Sequence, residues 1–545
     1  MSNPIVAVNV SVLSAPTPST LQKTGAFISQ GATNTSPGTK TLLAQLSSLT
    51  PILTGALAIS SITQSGGNAL ATTTAPHGFT VGDKLLLTVA GANQSSYNGA
   101  QYCTITGAST FTFSVPSSTT SPATGTIIYT LEDVSELLAM ATTFFAQGSG
   151  QGVYVLELGA GNATDGCAFL TTWIAANPGV FYSYLVPRYW DGNAAFLALA
   201  ANFEATTAKT YFFVTTSLQN WQAYTSAMKS IVAMVECPEY GVWAQNALIS
   251  LSQTAGVASA VTTTNHNVLP GDTFQLAGNL PAGWNGYFEA GLQTTAATLE
   301  FGVPSSIGAE TQLGELLQSL YASSGIPSTE FSHASDYWVT LNYKPSSTNK
   351  VTPLNLSYLF GVTPFPTQGN ASILSELNAG NINVVGTGAQ GGISEDILIG
   401  GNTMDGNPFN FWYSVDWVQI NAQLNVTAAL IQGSNNPINP IYYDQQGINA
   451  LQQVLISTMT TGITNGLVLN PVKLTTLDAA DFAAALNAGT YDGYTVVNAE
   501  PFQDYIAENP NAYAAGSYGG FSIVYTPLRG FESITINITV SNFAA

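Results

Sequence analysis

Residues 133–216 read DVSELLAMATTFFAQGSGQGVYVLELGAGNATDGCAFLTTWIAANPGVFYSYLVPRYWDGNAAFLALAANFEATTAKTYFFVTT, and this stretch decides the fold. Two periodicities alternate along it. DVSELLAMATTFFAQ, with Asp133 as its expected cap, precedes GVYVLELG; TDGCAFLTTWIAANP precedes VFYSYLVP; GNAAFLALAANFEATT precedes KTYFFVTT. Helices of about 10 to 15 residues between short continuous apolar strands predict βαβ units and a largely parallel sheet covered on both faces.

On either side of this α/β stretch the chain repeats itself. From Thr72 it reads TTTAPHGFTVGDKLLLTVAG, SYNG and STFTFSVPSS; from Thr262 it reads TTTNHNVLPGDTFQLAG, GWNG and ATLEFGVPSS. His77, Gly82, Asp83, Asn98, Gly99 and Pro116–Ser118 thus correspond to His266, Gly271, Asp272, Asn285, Gly286 and Pro304–Ser306. Alternating runs (Phe111, Phe113, Val115; Leu299, Phe301, Val303) between Gly-Asp and Asn-Gly turns predict short antiparallel strands. The expected organisation is a start of the core in 1–56, an inserted β-module in 57–130, the α/β core in 131–246, a second β-module in 247–307 and an α/β continuation in 308–545. Insertions at loops cost little and belong on the outside. TQLGELLQSLYAS, after the second module, is expected to resume the helical pattern. Beyond it, SILSELNAG then NINVVG predicts helix then strand, and Trp412–Gln432 and Asp444–Gly462 predict two long helices around the break SNNPINP.

Both chain ends alternate with period two. Val6, Val8, Val10 and Val12 interleave with Ala7, Asn9 and Ser11, and Ile534, Ile536, Ile538 and Val540 with Thr535, Asn537, Thr539 and Ser541. Such a strand closes its own sheet or pairs with the edge of a neighbour's; the pattern by itself leaves both open.

Composition narrows the function classes. The chain has 545 residues, 45% of them hydrophobic and only 7% charged, against about 25% charged in a typical soluble domain. Ten Lys and Arg offset thirty Asp and Glu, a formal charge of −20, which argues against nucleic acid as a partner. So sparse a charge predicts surfaces that other subunits cover. No secretory peptide and no membrane-spanning run is expected, and three scattered cysteines, Cys103, Cys167 and Cys237, predict buried thiols.

Candidate chemistry is thin. Of three histidines, His77 and His266 hold equivalent places in the modules, where a turn-holding role is expected, and His333 in FSHASDYW has no ligand at metal spacing. Gly386, Gly388 and Gly391 spell G-x-G-x-x-G after a strand, but GISEDILIGG does not continue as the helix a dinucleotide site needs, so a flexible glycine loop is expected. Of the acidic groupings, Glu395–Asp396 and Asp478 to Asp481, the second suits a helix start. The reading has no catalytic residue, no cofactor and no metal.

The order of features resembles the tail sheath proteins of contractile-tailed bacteriophages. The matching pieces are the N-terminal strand, the α/β middle with inserted β-modules, Leu377-Asn378-Ala379-Gly380-Asn381-Ile382-Asn383-Val384, Tyr413–Asp416 entering a helix, and the closing ESITINITVSNF. The first module's H-G-F-x-x-G-D-K and Y-N-G also look like the immunoglobulin-like or related β decorations of virion proteins. The resemblance implies a sheath-type α/β core and a non-enzymatic subunit that polymerises as stacked six-membered rings around a tail tube protein. Baseplate and tail terminator are its further partners, with no membrane insertion; it is assembled in the host cytoplasm and located in the virion. It implies that Ile5, Val6, Val8, Val10, Val12, Ile534, Ile536, Ile538 and Val540 form inter-subunit strand arms, and that contraction drives the tube through the host envelope. Lys473 and Arg529 are the available basic candidates for facing the tube. Other self-assembling virion or surface-layer proteins, and a carbohydrate-active enzyme with β binding modules, are the alternatives.

Overall fold

A computed structural model describes residues 21–530, apart from 217–219, 225–227, 237–244, 304–307, 318–329, 366–370, 391–392 and scattered positions in the two β-modules. The chain divides into two compact units. The larger holds residues 24–342 and 354–407; the described part of the other holds 21–23, 343–353 and 408–530.

The larger unit begins with β1 (Gly25–Ser29) and β2 (Lys40–Leu43). The first module follows as β3 (Leu57–Ser65), β4 (Asn68–Thr73), β5 (Lys84–Ala92), β6 (Gly99–Gly107), β7 (Thr110–Ser114) and β8 (Gly125–Leu131). Then come α1 (Glu132–Ala146), β9 (Val153–Glu157), α2 (Ala163–Ala176), β10 (Ser183–Leu185), α3 (Ala194–Ala201), β11 (Tyr211–Thr216) and β12 (Ile231–Val235). The second module is β13 (Gln245–Thr254), β14 (Val257–Thr262), β15 (Thr273–Ala277), β16 (Gly286–Glu289), β17 (Thr298–Gly302) and β18 (Glu315–Leu317). After it lie α4 (His333–Leu341), α5 (Ala371–Ala379), β19 (Asn383–Gln390) and β20 (Ile393–Ile399).

The expected helix-strand alternation is present. One eight-stranded sheet runs β2-β9-β1-β10-β11-β12-β19-β20, with β9, β1, β10, β11, β12 and β19 parallel and the edge strands β2 and β20 antiparallel to their neighbours. β1, β10, β11 and β12 are buried at every position, which is why they read as unbroken apolar runs. Asn162 and Asn193 cap α2 and α3 through their side chains. α1 starts two residues earlier than expected: Leu131, not Asp133, is its N-cap, without a side-chain bond, and Asp133 lies inside the first turn.

Both modules are insertions, and they share one topology. The first is a closed barrel in the order β3-β4-β7-β6-β5-β8, around Tyr97, Phe111, Phe113 and Tyr129. A closed barrel replaces the two-sheet sandwich of an immunoglobulin-like decoration. The second runs β16-β15-β18-β13-β14-β17, which is the same cyclic order opened at one seam. There, β6 and β7 of the first barrel form a ladder, whereas the described residues of β16 and β17 form no ladder and the seam is held by the bridge Ala290 to Phe301, the Gly291 amide on the Glu300 carbonyl and the Phe288–Phe301 ring contact. The second module also extends past the expected bound at 307. Glu315–Leu317, expected as helix, is its closing strand, pairing with both β13 and β15 as β8 pairs with β3 and β5.

The smaller unit contains α6 (Phe409–Ser434), α7 (Gln445–Thr464), β21 (Val472–Thr475), α8 (Ala479–Asn487), β22 (Thr495–Ala499), α9 (Phe502–Glu508), α10 (Pro510–Ala515) and β23 (Phe521–Val524). The two long helices are those expected, Asp444 caps α7, and Asp478 caps α8 by accepting from the Asp481 amide. α6 is buried at its start, around Phe409, Tyr413 and Ser414, and exposed toward its end, where Leu430 and Ile431 face solvent. Between Asp416 and Asp444 the sequence has no Asp, Glu, Lys or Arg. No helix among the described residues is long and apolar enough to cross a membrane.

Candidate functional site

The three-stranded sheet β21-β22-β23 has its buried strand in the middle. All five residues of β22 are buried, and it pairs in parallel with β21 (Thr475 beside Asn498) and antiparallel with β23 (Ala499 beside Phe521). Burial alternates along β23: Phe521 and Ile523 are half-buried and Ser522 and Val524 exposed. Gln452 of α7 donates its Nε2 to the carbonyls of Thr475 and Val497 at 2.8 and 3.0 Å, pinning the helix to the sheet. Among the described residues, neither β21 nor β23 has a strand on its outer side. An open edge of this kind presents a row of backbone donors and acceptors to any extended segment.

At the carboxyl end of the β21–β22 pair, Asn498 holds the turn out of β21. Its Oδ1 accepts from Thr475 Oγ1 and the Leu477 amide, both at 2.9 Å, and its Nδ2 donates to Leu477 O. That turn delivers Asp478 close to Glu500, the residue after β22. Glu500 is 4% exposed, and its Oε1 is buried without a hydrogen-bond partner. Burial raises its carboxyl above the ordinary range, and the negative charges of Glu508, Asp478 and Asp504 add to that. Tyr518 donates its hydroxyl to the Glu500 carbonyl at 2.5 Å and packs 4.7 Å from the ring of Tyr505, whose hydroxyl accepts from the Gly519 amide. Gly520 is needed here, because a Cβ would sit 2.7 Å from the Tyr518 hydroxyl and 2.8 Å from Glu500 Cβ.

The proposed arm residues Ile5, Val6, Val8, Val10, Val12, Ile534, Ile536, Ile538 and Val540 lie outside the described residues. Lys473 is on β21, exposed, with its ammonium 5.1 Å from the ring centres of both Tyr491 and Tyr494. Arg529 is exposed in the segment after β23.

His77 and His333 have hydrogen-bonded anchors, whereas both ring nitrogens of His266 are buried without a hydrogen-bond partner. His77 Nδ1 accepts from the Phe79 amide, and its ring stacks on that of Phe79. The repeated aromatic before Asn-Gly has one task in both barrels: Tyr97 donates to Thr120 O and Trp284 to Gly308 O, each pinning the loop before the closing strand. His333 reaches further than its neighbours. It is fully buried, with Nδ1 2.8 Å from Asp336 Oδ1 and Nε2 3.0 Å from Val232 O. Cys103 and Cys167 are free and buried; Cys237 lies outside the described residues.

The glycine fingerprint is not a loop. Gly386 and Gly388 are strand residues of β19, paired with Ile397 and Glu395 of β20. Cβ atoms there would come within 2.1 Å of Ile399 Cδ1 and 2.9 Å of Ile397 Cδ1, so the glycines make room for isoleucines. Gly391 lies outside the described residues.

Sequence reading missed the buried polar groups at the carboxyl end of the parallel sheet. Glu157, 2% exposed at the end of β9, accepts from Ser29 Oγ, the amides of Gly31, Thr33 and Gly159, and Thr33 Oγ1, at 2.6–3.1 Å. Arg188 after β10 pairs with Glu236 at 2.8 and 3.0 Å, donates to Glu330 O, and lies over the Phe331 ring. Gln30 after β1 accepts from Tyr189 and Trp190. In an open α/β sheet, ligands bind where successive strands diverge, here beside β1 and β10. The chain's own side chains occupy that place, leaving about 10 Å³ beside Ser29, Gln30, Asp133, Glu136 and Pro187, room for about one water. Apart from Glu157 and Gly159, these partners stand tens to hundreds of positions apart, so no local motif announces them.

No model of a known protein family matches the chain, and a search of curated proteins finds no match.

Proposed function

We propose that the chain is a structural subunit of a phage contractile tail sheath. Copies stack as rings around a tail tube, with baseplate and tail terminator at the ends, and contraction drives the tube through the host envelope. The observation that carries this reading is a three-stranded sheet whose two edges have no further strand among the described residues, in a chain whose sequence shows the period-two alternation of a one-faced strand near both ends.

A strand added to such an edge forms a ladder of backbone bonds, each contributing about 0.5–1.5 kcal/mol net, while side chains on alternate positions select the register. An arm bound to a neighbour leaves rigid bodies joined by flexible connections. Contacts between the bodies can then be exchanged during a large rearrangement without the bodies separating. The barrels, each inserted between elements of the α/β core, suit an outward decoration. Assembly in the host cytoplasm and residence in the virion follow from this role.

Deletion of residues 533–545 is the test. Electron micrographs of the truncated chain, expressed with its tail genes, are expected to lack long sheath-like tubes although the protein stays folded by circular dichroism. Long intact tubes from the truncated chain would remove the arm mechanism.

A further inference from the structure

We propose that the carboxyl end of the β21–β22 pair is a receptor for a lysine or arginine side chain of a partner other than this chain, with Glu500 as its floor, Asp478, Asp504 and Glu508 as its rim, and Tyr505 and Tyr518 as its wall. This goes beyond the sheath reading and does not rest on it.

Two independent observations point to a cation. The first is local: a carboxylate 4% exposed keeps one oxygen buried and unpartnered. Buried charged groups are ordinarily paired or richly hydrogen-bonded, as Glu157 is with its five donors. Around Glu500 the electrostatic neighbours are carboxylates, so its surroundings repel an anion and lack the positive charge they call for. Asp504 and Glu508 are exposed at the rim, where an incoming side chain would meet them first.

The second observation is the charge inventory. Between Lys473 and Arg529 the sequence holds six acidic residues (Asp478, Asp481, Asp492, Glu500, Asp504, Glu508) and no Lys or Arg. With thirty acidic residues against ten basic ones, copies of this chain cannot neutralise one another. Arg188 is moreover engaged by Glu236, and Lys473 lies between two tyrosines. A basic partner protein supplies the counter-charge more readily than a second copy of so acidic a chain, and it is the occupant we assign. Tyrosine faces beside carboxylates suit a guanidinium or ammonium, since the ring face attracts a cation and the carboxylate neutralises it. The unit already uses that chemistry internally at Lys473, 5.1 Å from Tyr491 and Tyr494.

The full-length chain is titrated by calorimetry with a short arginine peptide, tetra-arginine amide, at fixed ionic strength. One saturable site is expected. Glu500→Gln, and separately the exposed pair Asp504→Asn with Glu508→Gln, are each expected to weaken it by about tenfold, whereas Glu376→Gln on α5 changes it less than about twofold. The rim pair is exposed, so its loss of binding is not a folding defect, and thermal melts check Glu500→Gln. Equal weakening by all three changes, or binding without saturation, would mean that the peptide reads only the overall negative charge, and the receptor would be discarded.

Discussion

His333 is a residue whose charge can be deduced from its neighbours. Its Nδ1 faces the Asp336 carboxyl and its Nε2 faces the Val232 carbonyl, so with Asp336 ionised both nitrogens meet acceptors and both carry a proton. Burial works against that charge; Asp336, the Val232 carbonyl and Glu236 outweigh it and raise the imidazole above its usual 6.5. A folded-state value above the unfolded one gives stability that is complete below the unfolded value and lost as pH rises through the folded one. Urea denaturation is therefore expected to show stability that falls as pH rises above the ordinary imidazole value of about 6.5, a slope that His333→Gln abolishes at a cost of about 3 kcal/mol below that pH. An unchanged slope in the variant would show that the ring is neutral. This pairing was half legible: the i, i+3 spacing of His333 and Asp336 is in the sequence, but Val232 lies 101 positions away. At Gly386 and Gly388 the residues were visible and their reason was not, because Ile397 and Ile399 become their neighbours only once β19 and β20 pair.

Elements were most legible where one periodicity ran unopposed. The fully buried strands and the long helices α6 and α7 lie where the apolar patterns put them. β18 was misread because GELLQSL has helical spacing, and the barrel claims it as a strand through pairings on both sides. Strand preference depends on such tertiary partners more than on the segment itself. The repeat foretold two like modules but not their difference. The β6–β7 ladder is replaced in the second module by the bridge Ala290 to Phe301 and the Gly291 amide on the Glu300 carbonyl, so among the described residues that seam has fewer of the backbone bonds that protect amides. Hydrogen exchange is expected to be at least about tenfold faster for the amides of β16 and β17 than for those of β6 and β7. Equal protection would mean that the second barrel is as closed as the first.

At the scale of the whole molecule, the decisive quantity is a formal charge of −20 spread over a chain with few cations. Copies repel one another over distances set by salt, about 10 Å at 0.1 M ionic strength. Self-association, followed by light scattering, is expected to rise between about 20 mM and about 300 mM NaCl, as screening removes the repulsion. Association that weakens with salt would place attractive ion pairs at the contact between copies. The charge and the two terminal patterns were plain from the sequence, and the open edges of β21 and β23 were not, because an edge is defined by the strands beside it.

The helical hairpin of α6 and α7 adds one consequence. From Trp417 to Tyr443 it offers Leu430, Ile431, Ile438 and Tyr442 to solvent without a single ionisable acid or base apart from tyrosine hydroxyls. No charge of this stretch takes part in what grips it, so the stretch itself contributes no dependence on acidity in the neutral range, and the apolar share of the hold is strengthened by excluded salts such as sulfate. In a molecule with a large surplus of anions, adhesion through this stretch is not switched off by screening of charge.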